Sequence, residues 1–183
     1  MDARLQQYED RMKKAIEYLE GDYNGIRAGR ANPHILDKLR VDYYGTPTPI
    51  QQVGNVTVPE ARILQIAPWD KSLIKAIEKA IMTSDVGINP SNDGSVIRLV
   101  FPELTGERRK DLVKDVRKKA EESKVAIRNI RRDGNDSLKK LGKTDVSEDE
   151  IKQLEDQLQK TTDKYIKEVD SMMEKKSKEI MTV

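Results

Sequence analysis

Residues 116–141, "VRKKAEESKVAIRNIRRDGNDSLKKL", decide the fold. Val116, Ala120, Ser123, Ile127, Ile130, Gly134, Ser137 and Leu141 recur in steps of three and four, the spacing of one stripe on an α-helix. No proline interrupts the chain from Thr105 to this point, so the helix extends over about 105–141. Its stripe is narrow and loosened by small residues. It therefore needs other helices to bury it rather than a thick core.

Two neighbours of the same kind are present. From Met1 to about Ala28, Leu5, Tyr8, Met12, Ala15, Leu19, Tyr23 and Ile26 keep the spacing, and Ile151, Leu154, Leu158, Thr161, Tyr165, Val169, Met172, Lys176 and Ile180 keep it near the end. "SEDE" at 147–150 is a capping box that opens the last helix, and Gly142 suits the end of the one before. Three such helices, two of them roughly 35 residues long, make an antiparallel bundle on the order of 50 Å in length.

The texture changes between Pro33 and Pro102, where all seven prolines lie. "LRVDYYG", "NVTV", "ARILQIAP" and "SVIRLVF" are short β-rich runs, and "VDYYGTPTPI" reads as a strand, a turn and an edge strand. "DKSLIKAIEKAIMTSDVG" reads as one helix, with Asp70 as N-cap and Leu73, Ile77, Ala80 and Ile81 as its apolar face. "INPSNDGS" reads as a turn, and Trp69 as packing. The expected class is α+β. A three-helix bundle of residues 1–29 and 105–183 carries an inserted β/α/β domain of residues 30–104. The two linkers, Gly29, Arg30, Ala31 and Leu104, Thr105, Gly106, form a hinge between Pro33 and Pro102.

Charge is nearly balanced, with 34 Lys+Arg against 32 Asp+Glu, so no global field draws in a polyanion. Around the 105–141 helix, however, the signs separate. At about 100° per residue, Lys110, Lys114, Arg117, Lys124, Arg128, Arg131 and Arg132 share one flank with Asn135 and a single acid, Glu121. Asp111, Asp115, Glu122, Asp133 and Asp136 occupy the other, mixed with bases. Segregation forgoes the i,i+4 pairs of about 0.2–0.5 kcal/mol that interleaved charges provide. An anionic partner of extended shape, a structured RNA, explains it. Only one Trp and one Phe are present, so single strands have no stacking platform.

Catalytic signals are lacking. His34 is the only histidine and there is no cysteine, which leaves no metal cluster, nucleophile or charge relay and fits a reducing compartment. No metal and no cofactor are expected. No apolar run spans a bilayer and the first residues are charged, so the expectation is a soluble, cytoplasmic protein with no membrane partner.

"IRAGRANPHILD", "VDYYGTPTPI", "IEKAIMTSDVGINPSNDGSVIRLVFPELTGERRKDL" and "VAIRNIRRDGND", in this order, closely resemble the bacterial ribosome recycling factor family nearly end to end. The resemblance implies an L-shaped molecule and a non-enzymatic translation factor. It would bind the 70S ribosome after termination on the 23S rRNA of the large subunit, as a monomer. With elongation factor G and that partner's GTP hydrolysis it would separate the subunits. The resemblance carries rRNA contacts onto Arg27 and Arg30, and onto Arg128, Asn129, Arg131 and Arg132. Lys110, Arg117 and Lys124 extend that surface by their place on the same flank. Gly106 departs from the family pattern, which more often has an acid there. The competing reading is a structural helical adaptor whose basic stripe is unrelated to recycling.

Overall fold

The computed structural model describes residues 1–26 and 29–182. The chain divides into two compact units, one of Met1–Tyr23 with Lys110–Thr182 and the other of Asn24–Arg109.

The first unit is built from three helices, α1 (Gln6–Asn24), α4 (Gly106–Leu141) and α5 (Glu148–Met181), the first and second of which run into the other unit. Leu5, Tyr8, Met12, Ile16, Leu19 and Tyr23 from the N-terminal side, Leu112, Val116, Ala120, Ile127, Ile130, Gly134 and Leu138 of α4, and Leu154, Leu158, Thr162, Tyr165, Val169 and Ile180 of α5 are buried. Sequence periodicity identifies most of each line. Ile16 is buried where Ala15 was expected, Leu138 where Ser137 was and Thr162 where Thr161 was, while Ser123, Leu141, Ile151 and Met172 of the expected seams are only half-buried. A straight helix drifts about 20° per heptad against a strict three-four alternation, which moves the buried position by one.

Polar contacts fix the helix ends and register. Ser147 Oγ accepts from the Glu150 N–H at 3.2 Å, the expected cap of α5. The Glu150 carboxylate accepts from Arg4 at 2.6 Å, which ties the N-terminal turn to α5. Asp2 accepts from Arg4 as well, and this holds its carboxyl down at about 2. Tyr8 donates to Ser137 Oγ at 2.7 Å, Tyr23 to the Val116 carbonyl at 2.8 Å, and Tyr165 to Glu9 at 2.9 Å.

The second unit holds a hairpin, β1 (Arg40–Tyr43) with β2 (Thr46–Pro49). It also holds an antiparallel sheet in the order β3–β4–β6–β5, from β3 (Gly54–Glu60), β4 (Ile63–Pro68), β5 (Ser91–Asn92) and β6 (Ile97–Val100). A single turn, α2 (Ile50–Val53), links the hairpin to the sheet, and α3 (Ile74–Met82) lies between β4 and β5 in the chain. Tyr44 and Gly45 both have positive φ (50° and 82°), the conformation of a two-residue turn that matches strand twist. Pairing of Leu64 with Leu99 and of Ile66 with Ile97 puts four apolar residues on one sheet face, in one core with Ile74, Ile77, Ile81 and Phe101.

Two expectations fail here. Trp69 is 71% exposed, because it follows the end of β4 at Pro68 and its side chain is not carried onto the sheet's core face; its main-chain N–H donates to Val53 O at 3.0 Å. "INPSNDGS" is more than a turn, since Ser91–Asn92 forms a strand on β6. Main-chain pairing alone makes that strand, so hydrophobic periodicity gives no sign of it.

Candidate nucleic-acid interface

Because Val116, Ala120, Ile127, Ile130 and Gly134 face inward, the orientation of α4 is fixed and so is that of its flanks. One flank borders α1: Asp133 pairs with Arg11 at 2.9 Å, and the lining of the groove beside Tyr18 and Leu19 includes Lys119, Glu122 and Ala126. On the same side, Asp115 pairs with Lys119 at 3.3 Å. The other flank borders α5 and carries the bases.

On that flank, Lys110, Arg117 and Arg132 are exposed, while Arg128 and Arg131 are half-buried. Among the described residues, none of these five makes an ion pair. Lys124 behaves differently. Its side chain is only 13% exposed and bridges Asp170 of α5 and Glu121 at 3.4 Å. Hydrogen bonding to Asp170 raises its pKa against the opposing effect of burial, so the charge is held but already matched. Asn129 is exposed, but at about 100° per residue it lies around the helix from Arg128, on the far side of Arg132.

Arg131 has one partner that sequence reading missed. Its Nη1 donates to Gln159 Oε1 at 3.2 Å, and Gln159 Nε2 donates to Asp163 Oδ1 at 2.9 Å. Gln159, Asp163 and Asp170 all sit on α5, 28 or more residues away in the chain. Only knowledge of how α4 and α5 align could have revealed them.

Arg30 is exposed and belongs to the second unit, and Arg27 lies outside the described residues. Of the residues expected to form the linkers, all of which fall within the second unit, Gly29 is buried with φ 77° and faces Leu104. Ala31 donates its N–H to Ala61 O at 2.7 Å, between β3 and β4. Thr105 Oγ1 accepts from the Arg108 N–H at 3.1 Å, an N-cap for α4 that sequence reading did not assign. Gly106 is the first residue of that helix and its φ is not positive.

Comparison with known proteins converges on one family. The sequence profile described as "Ribosome recycling factor" matches residues 19–181. Ribosome-recycling factors of Lachnoclostridium phytofermentans and Agathobacter rectalis are each 66% identical to this chain, over 100% of both lengths. A solution structure of the ribosome recycling factor matches with TM-score 0.84 at 42% identity, covering 98% of this chain and 96% of that one. A structure of the T. thermophilus ribosome recycling factor and the E. coli elongation factor G bound to the E. coli post-termination complex matches with TM-score 0.67 at 49% identity, over 97% of each chain. On full-length identity and on fold, this chain belongs to the ribosome recycling factor family.

Proposed function

We propose that this protein binds the post-termination ribosome and, together with elongation factor G and GTP hydrolysis by that partner, splits it into subunits. The observation that carries the reading is the α4 flank. Among the described residues, Lys110, Arg117, Arg128, Arg131 and Arg132 make no ion pair there, while Asp115 and Asp133 on the opposite flank are matched. Such a stripe follows the phosphates of a folded RNA, here the 23S rRNA of the large subunit, and reads shape rather than base sequence. Arg27, Arg30 and Asn129 join this interface by family resemblance.

The protein performs no bond chemistry and needs no cofactor. It acts in the cytoplasm as a monomer and transmits force produced by its partner. The bundle is the ribosome-bound arm, and the inserted unit receives the push. Gly29–Ala31 and Leu104–Gly106 are the two chain connections through which it passes.

The test is subunit splitting of purified post-termination ribosomes, followed by light scattering. The reading requires a fall in scattering when this protein, elongation factor G and GTP are all present, and none when any one is omitted. Splitting by this protein alone, or none with all three, would sink it.

A further inference from the structure

Two basic side chains of α4 meet α5, and they meet different chemistry there. Lys124 meets a carboxylate, Asp170, and its charge is matched. Arg131 meets a neutral amide, Gln159. We propose that Gln159 is a positioning residue: it holds the Arg131 guanidinium in a fixed direction without neutralising it, and Asp163 sets the direction of the Gln159 amide. The proposal rests on the reading above, in which Arg131 contacts rRNA.

The donor and acceptor inventory leaves one arrangement. An ionised carboxylate only accepts, so the bond of Asp163 Oδ1 to Gln159 requires the NH2 end of the amide. The carbonyl end then points to Arg131, whose guanidinium only donates. Gln159 and Asp163 are one helical turn apart on α5, a spacing at which such a pair stabilises itself. The relay uses one of the five N–H donors of Arg131 and leaves the others for a phosphate, which a guanidinium can grip with two parallel bonds. Holding a long side chain in place before binding lowers the ordering cost that association would otherwise carry.

The experiment measures binding to vacant large subunits across a salt series, for Gln159→Ala, Arg131→Ala, the double variant and Asp163→Asn. Gln159→Ala is expected to weaken binding about fivefold, the effect of freeing one rotamer-rich side chain, with the salt slope unchanged because no charge is lost. In the Arg131→Ala background the same change should do nothing further, since it acts through Arg131. Asp163→Asn gives opposite signs for the two explanations. Removing a negative charge beside a basic surface should tighten RNA binding by its field alone, whereas a relay that can now flip its amide weakens it.

Loss of binding in Gln159→Ala that persists undiminished with Arg131→Ala would overturn the proposal. So would unchanged binding in Gln159→Ala while Arg131→Ala is impaired, or tighter binding in Asp163→Asn. If Arg131→Ala itself binds as wild type, the interface reading fails first and the relay with it. Melting temperatures matching wild type keep the comparison free of folding effects.

Discussion

Gly29 packs against the Leu104 side chain: a Cβ added to Gly29 would lie 3.2 Å from Leu104 Cγ and 3.5 Å from Cδ1. Both residues lie within the second unit, and Gly29 has φ 77°, where an L side chain costs roughly 1–2 kcal/mol. Gly29→Ala should therefore destabilise the protein by about 1–2 kcal/mol from strain, plus a smaller share from the close contact. Leu104→Ala in the same chain should recover only the contact share. Urea denaturation of the single and double variants separates the two, and an unchanged midpoint in Gly29→Ala would rule out the left-handed conformation.

Gly106 shares none of these constraints. Nothing lies within 4 Å of a Cβ added there, its φ is not positive, and it opens α4 behind the Thr105 cap. Gly106→Glu should stabilise α4 by up to about 1 kcal/mol, through propensity and through a negative charge at the positive end of the helix dipole. Thr105→Ala should cost about 1 kcal/mol by removing the cap. Thermal unfolding should show shifts of opposite sign. A loss of stability in Gly106→Glu would mean that Gly106 does not occupy an open, helical position in the first turn of α4.

Gly134 of α4 faces side chains of both other helices, Leu158 of α5 and Tyr8 of α1. An added Cβ would lie 2.5 Å from Leu158 Cδ2 and 3.4 Å from Tyr8 Cγ. Alanine favours a helix interior by about 1 kcal/mol, yet Leu158 is fully buried and has little room to turn. Overpacking should outweigh propensity, and Gly134→Ala should lose about 1–2 kcal/mol net. Combined with Leu158→Val, the loss should shrink, so a double-mutant cycle should report a favourable coupling.

Alkaline stability follows from two tyrosines. Burial pushes the Tyr23 hydroxyl up to about 12, helped by Asp115 and Asp22, and burial with the bond to Glu9 does the same for Tyr165. Unfolded tyrosine titrates near 10. Below pH 10 both states keep the proton and the contribution to stability is complete. Between about 10 and 12 the unfolded chain loses its protons first, so stability falls as pH rises. The loss is on the order of 2 kcal/mol per group. Lys124, raised by Asp170, adds in the same direction. Phenolate absorbance of the folded protein should show Tyr23 and Tyr165 titrating late, and Tyr23→Phe with Tyr165→Phe should flatten the alkaline fall in melting temperature.

What the sequence could reveal was set by which interactions have a period. Helix α4 shows its length, its buried line and its basic flank because all three repeat along one element. The hairpin at Tyr44–Gly45 was legible from turn chemistry, and the Ser147 cap from a local motif. Trp69 was misjudged because one aromatic after a strand end has no pattern around it to say which way it faces. The partners of Lys124 and Arg131 were illegible for a different reason. Asp170 and Gln159 lie on another helix, and only the packed register of α4 on α5 brings them within reach.

That register separates two lysine and arginine positions that a helical wheel treats as equals. Lys124 is bridged to Asp170 and nearly buried, whereas Arg128, one turn on, makes no ion pair among the described residues. A phosphate approaching Lys124 would have to displace a carboxylate, so little counterion release remains to be gained there. Arg128→Gln should therefore weaken ribosome binding and lower the slope of log K against log salt by about 0.7–0.9, the share of one phosphate contact. Lys124→Gln should leave that slope nearly unchanged. It should instead destabilise the bundle by about 1 kcal/mol, because Asp170, itself partly exposed, loses the positive charge that matches it. Binding across a salt series and urea denaturation, run on both variants, give the two readouts. Equal loss of salt slope in the two variants would mean that Asp170 releases Lys124 on the ribosome and that the stripe is one residue longer than the free protein presents.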